Sequence, residues 1–345
     1  MAYSRQEAAQ KIIEAGHALV EQGLIARTWG NISARLSDTE FLITPSGMAY
    51  DDLTPELLVT CKIADCSYQG KIRPSSEKGV HGEAYKFRKD IDFIIHTHQL
   101  YATAVGTVGQ PITGRDEEEQ RILGQQAVCA DYAISSTERL KRKVSQAIVA
   151  YPQSNAFFMR YHGVLCLGQT DVDAFRVSRT LEDICKEMID EQLHLDLQPV
   201  MGFPKECSKD RVLEAVHRIA GYPAVLFDAS SAVQAVAAWD KKLYPVIDDM
   251  AQIAGTSYVC IDPGVADYPE QIARALRKKN CVFVKGLGAV CGAVNEEEVQ
   301  AVAMVLEKNC LATLYGTACG VQHHLGLVDA ALQRNVYVKK YSKLK

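Results

Sequence analysis

The strongest chemical signal in this chain is a pair of histidines one residue apart, His96-Thr97-His98, with a further histidine in the turn-like stretch Tyr161-His162-Gly163. In a β-strand, residues i and i+2 point to the same side, so the imidazoles of His96 and His98 can address one point. A third imidazole from another turn completes a facial set of three neutral nitrogens with an open fourth position, the pattern of catalytic zinc. The plainer alternative is a chance His-x-His and a core histidine. Pro74-Ser75-Ser76-Glu77 is the second signal. At a helix start, two hydroxyls and exposed backbone N–H groups suit an oxyanion or phosphate, and Glu77 suits a general base beside a cation. Alone, the segment reads more simply as a serine-capped helix with an acid in its first turn. Thr28-Trp29-Gly30-Asn31-Ile32-Ser33 and Thr44-Pro45-Ser46-Gly47 form the third signal. Small polar residues around glycine let backbone amides approach a phosphate. The same residue types also make ordinary turns.

Several elements must position these groups. Ser4 and Glu7 have capping-box spacing, and Ile12, Gly16, Leu19 and Val20 form a stripe that ends at Gly23, which predicts a first helix. Strands are predicted over 41–44 and 57–63, a helix over 76–87, and a buried strand over 92–98 with helix from Leu100. Residues 155–168 read as two strands around the His162 turn. Residues 170–194 read as a long amphipathic helix with Ala174, Val177, Leu181, Ile184 and Met188 on one stripe. A Gly/Pro/Lys/Ser stretch over 202–208 reads as a linker. Beyond it, 280–310 can be laid on 155–185 without gaps, with identities that include Asn155/Asn280, Gly163/Gly288, Cys166/Cys291, Glu182/Glu307 and Cys185/Cys310. Leu287 then stands opposite His162. By hydrophobic pattern, Asp228 and Ser230 stand opposite His96 and His98. The second copy has no counterpart of residues 1 to about 75.

The chain has 345 residues, 48% hydrophobic and 23% charged, with net charge −4. This is the composition of a soluble globular protein of about two domains, and it offers no basic field for nucleic acid. No stretch reaches the ~18 apolar residues of a membrane span, and the polar start shows no signal peptide. The basic run over 139–143 reads as a solvated helix face, and the basic C-terminus as a tail. Eleven cysteines without a Cys-x-x-Cys pair read as reduced thiols in a cytoplasmic protein. His323-His324 is a lesser candidate for a substrate lid, set against a solvated tail.

Taken together and in order, the motifs at 28–33, 44–47, 74–77, 96–98 and 162–163 resemble those of the class II aldolase/adducin family, over residues 1 to about 200. The resemblance implies an α/β fold, a three-layer α/β/α domain with a mostly antiparallel central sheet. The expected organisation is a catalytic domain over 1–202 and a partial, degenerate, metal-free repeat over 209–345. It implies Zn2+ or another divalent ion on His96, His98 and His162, with Glu77 close by as acid/base. It also implies a phosphate site built from Gly30, Asn31, Ser46, Gly47, Ser75 and Ser76. The implied activity is reversible cleavage of a ketose 1-phosphate to dihydroxyacetone phosphate and an aldehyde, through a metal-stabilised enediolate. Epimerisation, decarboxylation or dehydration on the same metal site is the alternative, and a non-enzymatic adducin-like scaffold the remaining one. The family's ring-forming habit implies a homo-oligomer, with two chains making a pseudo-four-fold ring. The tyrosine that assists family aldolases has no assigned counterpart here. Arg115-Asp116-Glu117-Glu118-Glu119 occupies its region, and Tyr132 is the nearest tyrosine.

Overall fold

A computed structural model describes residues 2–25, 29–195, 202–239, 242–321 and 324–336. Thr28, His323 and the basic C-terminal tail lie outside the described residues. The chain forms two compact units, Met1–Met188 and Ile189–Lys345. That division falls upstream of the 202–208 stretch that composition marks as a linker.

The first unit opens with helix α1 (Arg5–Glu21). Ser4 caps it by accepting a bond from the Glu7 N–H, and Ala8, Ile12, Ala15 and Leu19 form its buried stripe. Strands β1 (Asn31–Arg35), β2 (Glu40–Ile43) and β3 (Val59–Lys62) follow, then helix α2 (Lys78–Phe87) and strand β4 (Phe93–Thr97). Next come α3 (Leu100–Gly106), β5 (Ile112–Thr113), α4 (Glu117–Leu123), β6 (Gln126–Ala130) and α5 (Glu138–Ala150). The hairpin β7 (Ala156–Met159) and β8 (Gly163–Gly168) and the long α6 (Asp171–Leu193) complete the series. The eight strands form one sheet in the order β3-β2-β1-β4-β8-β7-β6-β5, and only β6 and β7 run parallel.

Strand alternation sorts the side chains onto two faces. On one face, Ile94, Phe157, Leu165 and Leu167 pack with Val80, Ala84 and Tyr85 of α2 and Leu140, Val144 and Ile148 of α5. On the other face, Phe93 meets Tyr3 edge-on just before α1, and Phe158 lies against Gly106 of α3. Gln99 there donates to the Ser178 carbonyl of α6. The result is the three-layer α/β/α arrangement.

One buried cation ties the α2 layer to the sheet. Arg35, at the end of β1, donates from Nε to the Ile91 carbonyl and from Nη2 to the carbonyls of Tyr85 and Arg88. These oxygens belong to the last turn of α2 and the chain just beyond it, where a positive charge is favoured. Arg35 also pairs with Asp92 at 3.0 Å, and its guanidinium lies 4.7 Å over the Tyr85 ring.

The second unit contains α7 (Lys209–Ala215), β9 (Ala224–Asp228), α8 (Ser231–Ala237), α9 (Asp248–Ala254), β10 (Cys260–Ile261) and α10 (Tyr268–Leu276). The hairpin β11 (Cys281–Val284) and β12 (Gly288–Ala293) follows, then α11 (Glu296–Ala318) and α12 (Leu327–Val336). Its sheet order is β10-β11-β12-β9, with β10 and β11 parallel and the rest antiparallel. That is the order and sense of β6-β7-β8-β4. The helices α3 and α4 map onto α8 and α9 by one shift of 131 positions (100 to 231, 117 to 248). The hairpin and α6 map onto their later counterparts by a shift of 125 (163 to 288, 171 to 296). Strand register corrects one detail of the sequence alignment. Thr97 pairs with Val164 as Asp228 pairs with Ala289. Phe227 and Ala229 therefore stand opposite His96 and His98, in place of Asp228 and Ser230. The hydrophobic pattern tolerated either register, and only the strand pairing separates them.

Replacing Arg35 by alanine would remove a buried donor from the Asp92 carboxylate and from three carbonyls at and just beyond the end of α2. Arg35→Ala is expected to lower the stability of the first unit by about 3–5 kcal/mol, read as a shift of its urea unfolding midpoint. An unchanged midpoint would remove Arg35 from this role.

Candidate metal centre

The site is built where β4, the β7–β8 turn and the start of α2 converge. His96 lies in β4 on the same face as Ile94, and His98 follows just past the strand end. His162 comes from the tight turn between β7 and β8, where Tyr161 takes φ of 64° and the His162 N–H closes on the Met159 carbonyl. Gly163 permits the approach. A Cβ there would collide with the Thr97 carbonyl oxygen and would lie 3.0 Å from His96 Cε1 and 3.2 Å from His98 Cδ2. Ring centroids of His96, His98 and His162 are 4.6–5.2 Å apart. One ligand nitrogen from each lies within 4.8 Å of the other two.

Glu77, the residue before α2, enters this group from above the sheet. Its Oε2 is 3.0 Å from His96 Nε2, and its Oε1 is 2.9 Å from His162 Nε2. The protonation pattern decides what this arrangement needs. A carbonyl only accepts, so the 2.8 Å contact of His96 Nδ1 with the Val164 carbonyl places the proton on Nδ1. In the neutral ring, Nε2 then carries a lone pair, facing a carboxylate oxygen and His98 Nε2 at 3.1 Å. The His96 Nε2 lone pair and a Glu77 oxygen are thus aimed at each other, and a cation between them turns repulsion into ligation. Three imidazole nitrogens beside a carboxylate form the donor set of a divalent metal. His96, His98 and His162 could therefore bind a metal ion. Burial pushes the Glu77 carboxyl up. Positive charge at His162 and His96 outweighs burial and holds it well below the usual carboxylate range, and with those rings neutral a bound cation would supply that charge.

The sequence motifs proposed for phosphate come together beside this centre. A bridge joins Pro45 to Pro74, the Ser46 N–H donates to the Arg73 carbonyl, and the Ser75 N–H donates to the Thr44 carbonyl. Ser46, Gly47 and Ser76 are exposed at this seam. Gly30 has φ of 80°, and a Cβ there would strike the His96 carbonyl oxygen. Two of the six candidates have committed side chains. Ser75 Oγ accepts from the Glu77 N–H. The Asn31 amide is shared between Glu77 Oε2 at 3.3 Å and His81 Nε2 at 2.5 Å. The Asn31 side chain is therefore committed, and its backbone pairs with His96 across β1 and β4.

Some residues at the site carried no isolated signal. Ser136 reaches Ser76 across 2.8 Å from the loop before α5. His81, Ser33 and Tyr85 lie behind Glu77 in a buried hydrogen-bonded row. The Glu77, His81, Tyr85 spacing of four was the available signal. Tyr132 packs on Tyr161, with ring centroids 5.3 Å apart, one residue from His162. The acidic run forms the first turn of α4. Asp116 caps that turn, and Glu119 pairs with Arg115 at 2.5 Å. His324 stacks on Tyr244 of its own unit at 4.7 Å.

Comparison with known proteins agrees with this geometry. Residues 10–189 match the model of the class II aldolase and adducin N-terminal domain. A methylthioribulose-1-phosphate dehydratase of Pseudomonas savastanoi is 30% identical over 188 residues, 52% of this chain and 92% of the relative. An L-fuculose phosphate aldolase of Escherichia coli is 32% identical over 161 residues, 47% of this chain and 73% of the relative. A solved L-fuculose 1-phosphate aldolase structure superposes with a TM-score of 0.51 at 28% identity, covering 59% of this chain and 93% of that one. With its three-layer sheet, its convergent histidines and more than half of its length matched, the chain belongs to the class II aldolase and adducin family.

Proposed function

We propose that the first unit is a zinc-dependent aldolase that reversibly cleaves a ketose 1-phosphate into dihydroxyacetone phosphate and an aldehyde. The observation that carries this reading is the buried Glu77 carboxylate, held against the imidazoles of His96 and His162. Three imidazoles with an open position suit Zn2+ among the divalent ions. When bound, the ion supplies a Lewis acid that polarises the ketose carbonyl and takes up the charge developing on its oxygen.

This chain's own residues supply the rest. Glu77 stays ionised in its buried position, beside the point where substrate would meet the metal. It can return a proton to the carbon left electron-rich when the carbon–carbon bond breaks, and remove that proton in the reverse direction. The exposed seam of Ser46, Gly47 and Ser76, with the Gly30–Asn31 backbone next to it, would seat the phosphate and fix the substrate's register. The second unit is proposed as a degenerate, metal-free repeat. It carries Phe227, Ala229 and Leu287 at the three histidine positions, packed in its own apolar core.

Dehydration on the same centre is the second reading. It is favoured by the dehydratase relative, which matches along 92% of its length. Both reactions need a polarised carbonyl and a carboxylate base, and they differ in whether a carbon–carbon or a carbon–oxygen bond breaks.

Elemental analysis of the purified chain is expected to find one zinc per chain, falling close to zero in His162→Ala. Two ions per chain would contradict a metal-free second unit. Incubation with a panel of ketose 1-phosphates is expected to release dihydroxyacetone phosphate, whereas loss of water without release would assign the dehydratase reading. Glu77→Gln is expected to cut turnover by about 10²–10⁴ while the metal stays bound. Full activity in that variant would end the acid/base assignment.

A further inference from the structure

We propose that His81 is a positioning residue for Glu77, the central link of a buried one-way hydrogen-bond chain that runs from Tyr85 through Ser33, His81 and Asn31 to the Glu77 carboxylate. The inference rests on the acid/base reading of Glu77 given above.

The row arises from two interlocked periodicities. Glu77, His81 and Tyr85 recur every four residues along one face at and after the start of α2, and Asn31 and Ser33 share the inward face of β1. Laid side by side, the two series alternate. Tyr85 OH lies 2.8 Å from Ser33 Oγ, and Ser33 Oγ lies 2.6 Å from His81 Nδ1. His81 Nε2 lies 2.5 Å from Asn31 Oδ1, and Asn31 Nδ2 lies 3.3 Å from Glu77 Oε2. Ser33, His81 and Tyr85 are fully enclosed, and Asn31 and Glu77 are buried.

Donor chemistry gives the row a single direction. A carboxylate can only accept, so Asn31 must turn its NH2 group toward Glu77. Its Oδ1 then faces His81, which must donate from Nε2. Burial holds the His81 imidazole neutral and pushes it down to about 3. A neutral ring carries one proton, so Nδ1 is bare and accepts from the Ser33 hydroxyl. Ser33 in turn accepts from Tyr85. Every donor points at the catalytic carboxylate, and each bond strengthens the next. Glu77 Oε2 is thereby anchored from behind, which keeps Oε1 turned toward His162. His81 touches neither the metal ligands nor the substrate seam by any hydrogen bond in this row. Its action is on the orientation of Asn31, and through Asn31 on Glu77.

Two measurements on the metal-loaded full chain test this. Long-range 1H–15N correlation of histidine-labelled protein, with His81 assigned by its loss in His81→Gln, is expected to show the Nε2–H tautomer. An Nδ1–H tautomer would overturn the inference. In kinetics on the cleaved ketose 1-phosphate, His81→Leu removes the donor to Asn31. Its kcat is expected to fall about 100-fold, with KM changed less than about threefold and metal content unchanged. His81→Gln places an amide N–H near the former Nε2 position, and its kcat is expected to return to within about tenfold of the parent. Equal kcat in the two variants, with metal fully bound, would reduce the row to a structural role and overturn the inference. If His81→Leu fails to fold, Ser33→Ala takes its place. It removes only the hydroxyl that holds the His81 tautomer, and an unchanged kcat there overturns the inference as well. Equal kcat in the His81 variants alongside an inactive Glu77→Gln sinks this inference alone. An active Glu77→Gln sinks the acid/base reading and this inference with it.

Discussion

The structure of the first unit is organised around an electrostatic problem, a buried carboxylate and three imidazoles gathered at one point. The Val164 carbonyl fixes the proton of His96 on Nδ1, which leaves Nε2 bare and facing both a carboxylate oxygen and a second imidazole. Such a cluster is costly to assemble without a cation, because each group has left water to face another acceptor. Everything that brings those groups together must therefore be rigid. The supports are a strand in the middle of an eight-stranded sheet, a hairpin turn beside it and the N-cap of a helix clamped at its far end by Arg35.

Close approach of backbone makes the cluster possible. Gly163 sits where any side chain would strike the Thr97 carbonyl and crowd two of the imidazoles, and Gly30 sits where one would strike the His96 carbonyl. The two glycines flank β4, Gly163 at the start of β8 and Gly30 just before β1. They let β1 and β8 press against the residues around the histidines, and the phosphate-type loops fall next to the metal centre as a consequence. The Pro45–Pro74 bridge then joins two of those loops into one seam.

The second unit shows how far the scaffold and the chemistry can be separated. It keeps the order and sense of β6-β7-β8-β4, the hairpin register and the lengths of α3, α4 and α6, while α10 is shorter than α5 and β5 has no counterpart among the described residues. It even keeps the tight glycine, since Gly288 approaches the Asp228 carbonyl as Gly163 approaches that of Thr97. Apolar side chains stand where the imidazoles would be, and Phe227 packs in a tilted contact against the half-buried Phe203. With apolar residues at those positions the second unit packs this backbone as hydrophobic core, and a shared fold does not by itself imply a shared activity.

The sequence by itself determined the local elements and the chemical candidates. Strand alternation was enough to put His96 and His98 on one side, capping residues placed α1, and glycine-bounded polar stretches marked the loops near the site. The ordered set of short motifs carried the family, and the gapless internal alignment carried the repeated hairpin and helix. Tertiary structure alone decided which distant groups meet, because those contacts depend on strand order and register, which leave no local mark. It placed Glu77 between His96 and His162 and assigned the Asn31 amide to Glu77 and His81. It also moved the counterpart of His96 from Asp228 to Phe227. The row behind Glu77 was invisible for the same reason. His81 and Tyr85 fall in the predicted helix over 76–87, and Ser33 in a turn-like polar stretch that the structure instead folds into β1. Only the packing of that face against β1 makes them one hydrogen-bonded chain.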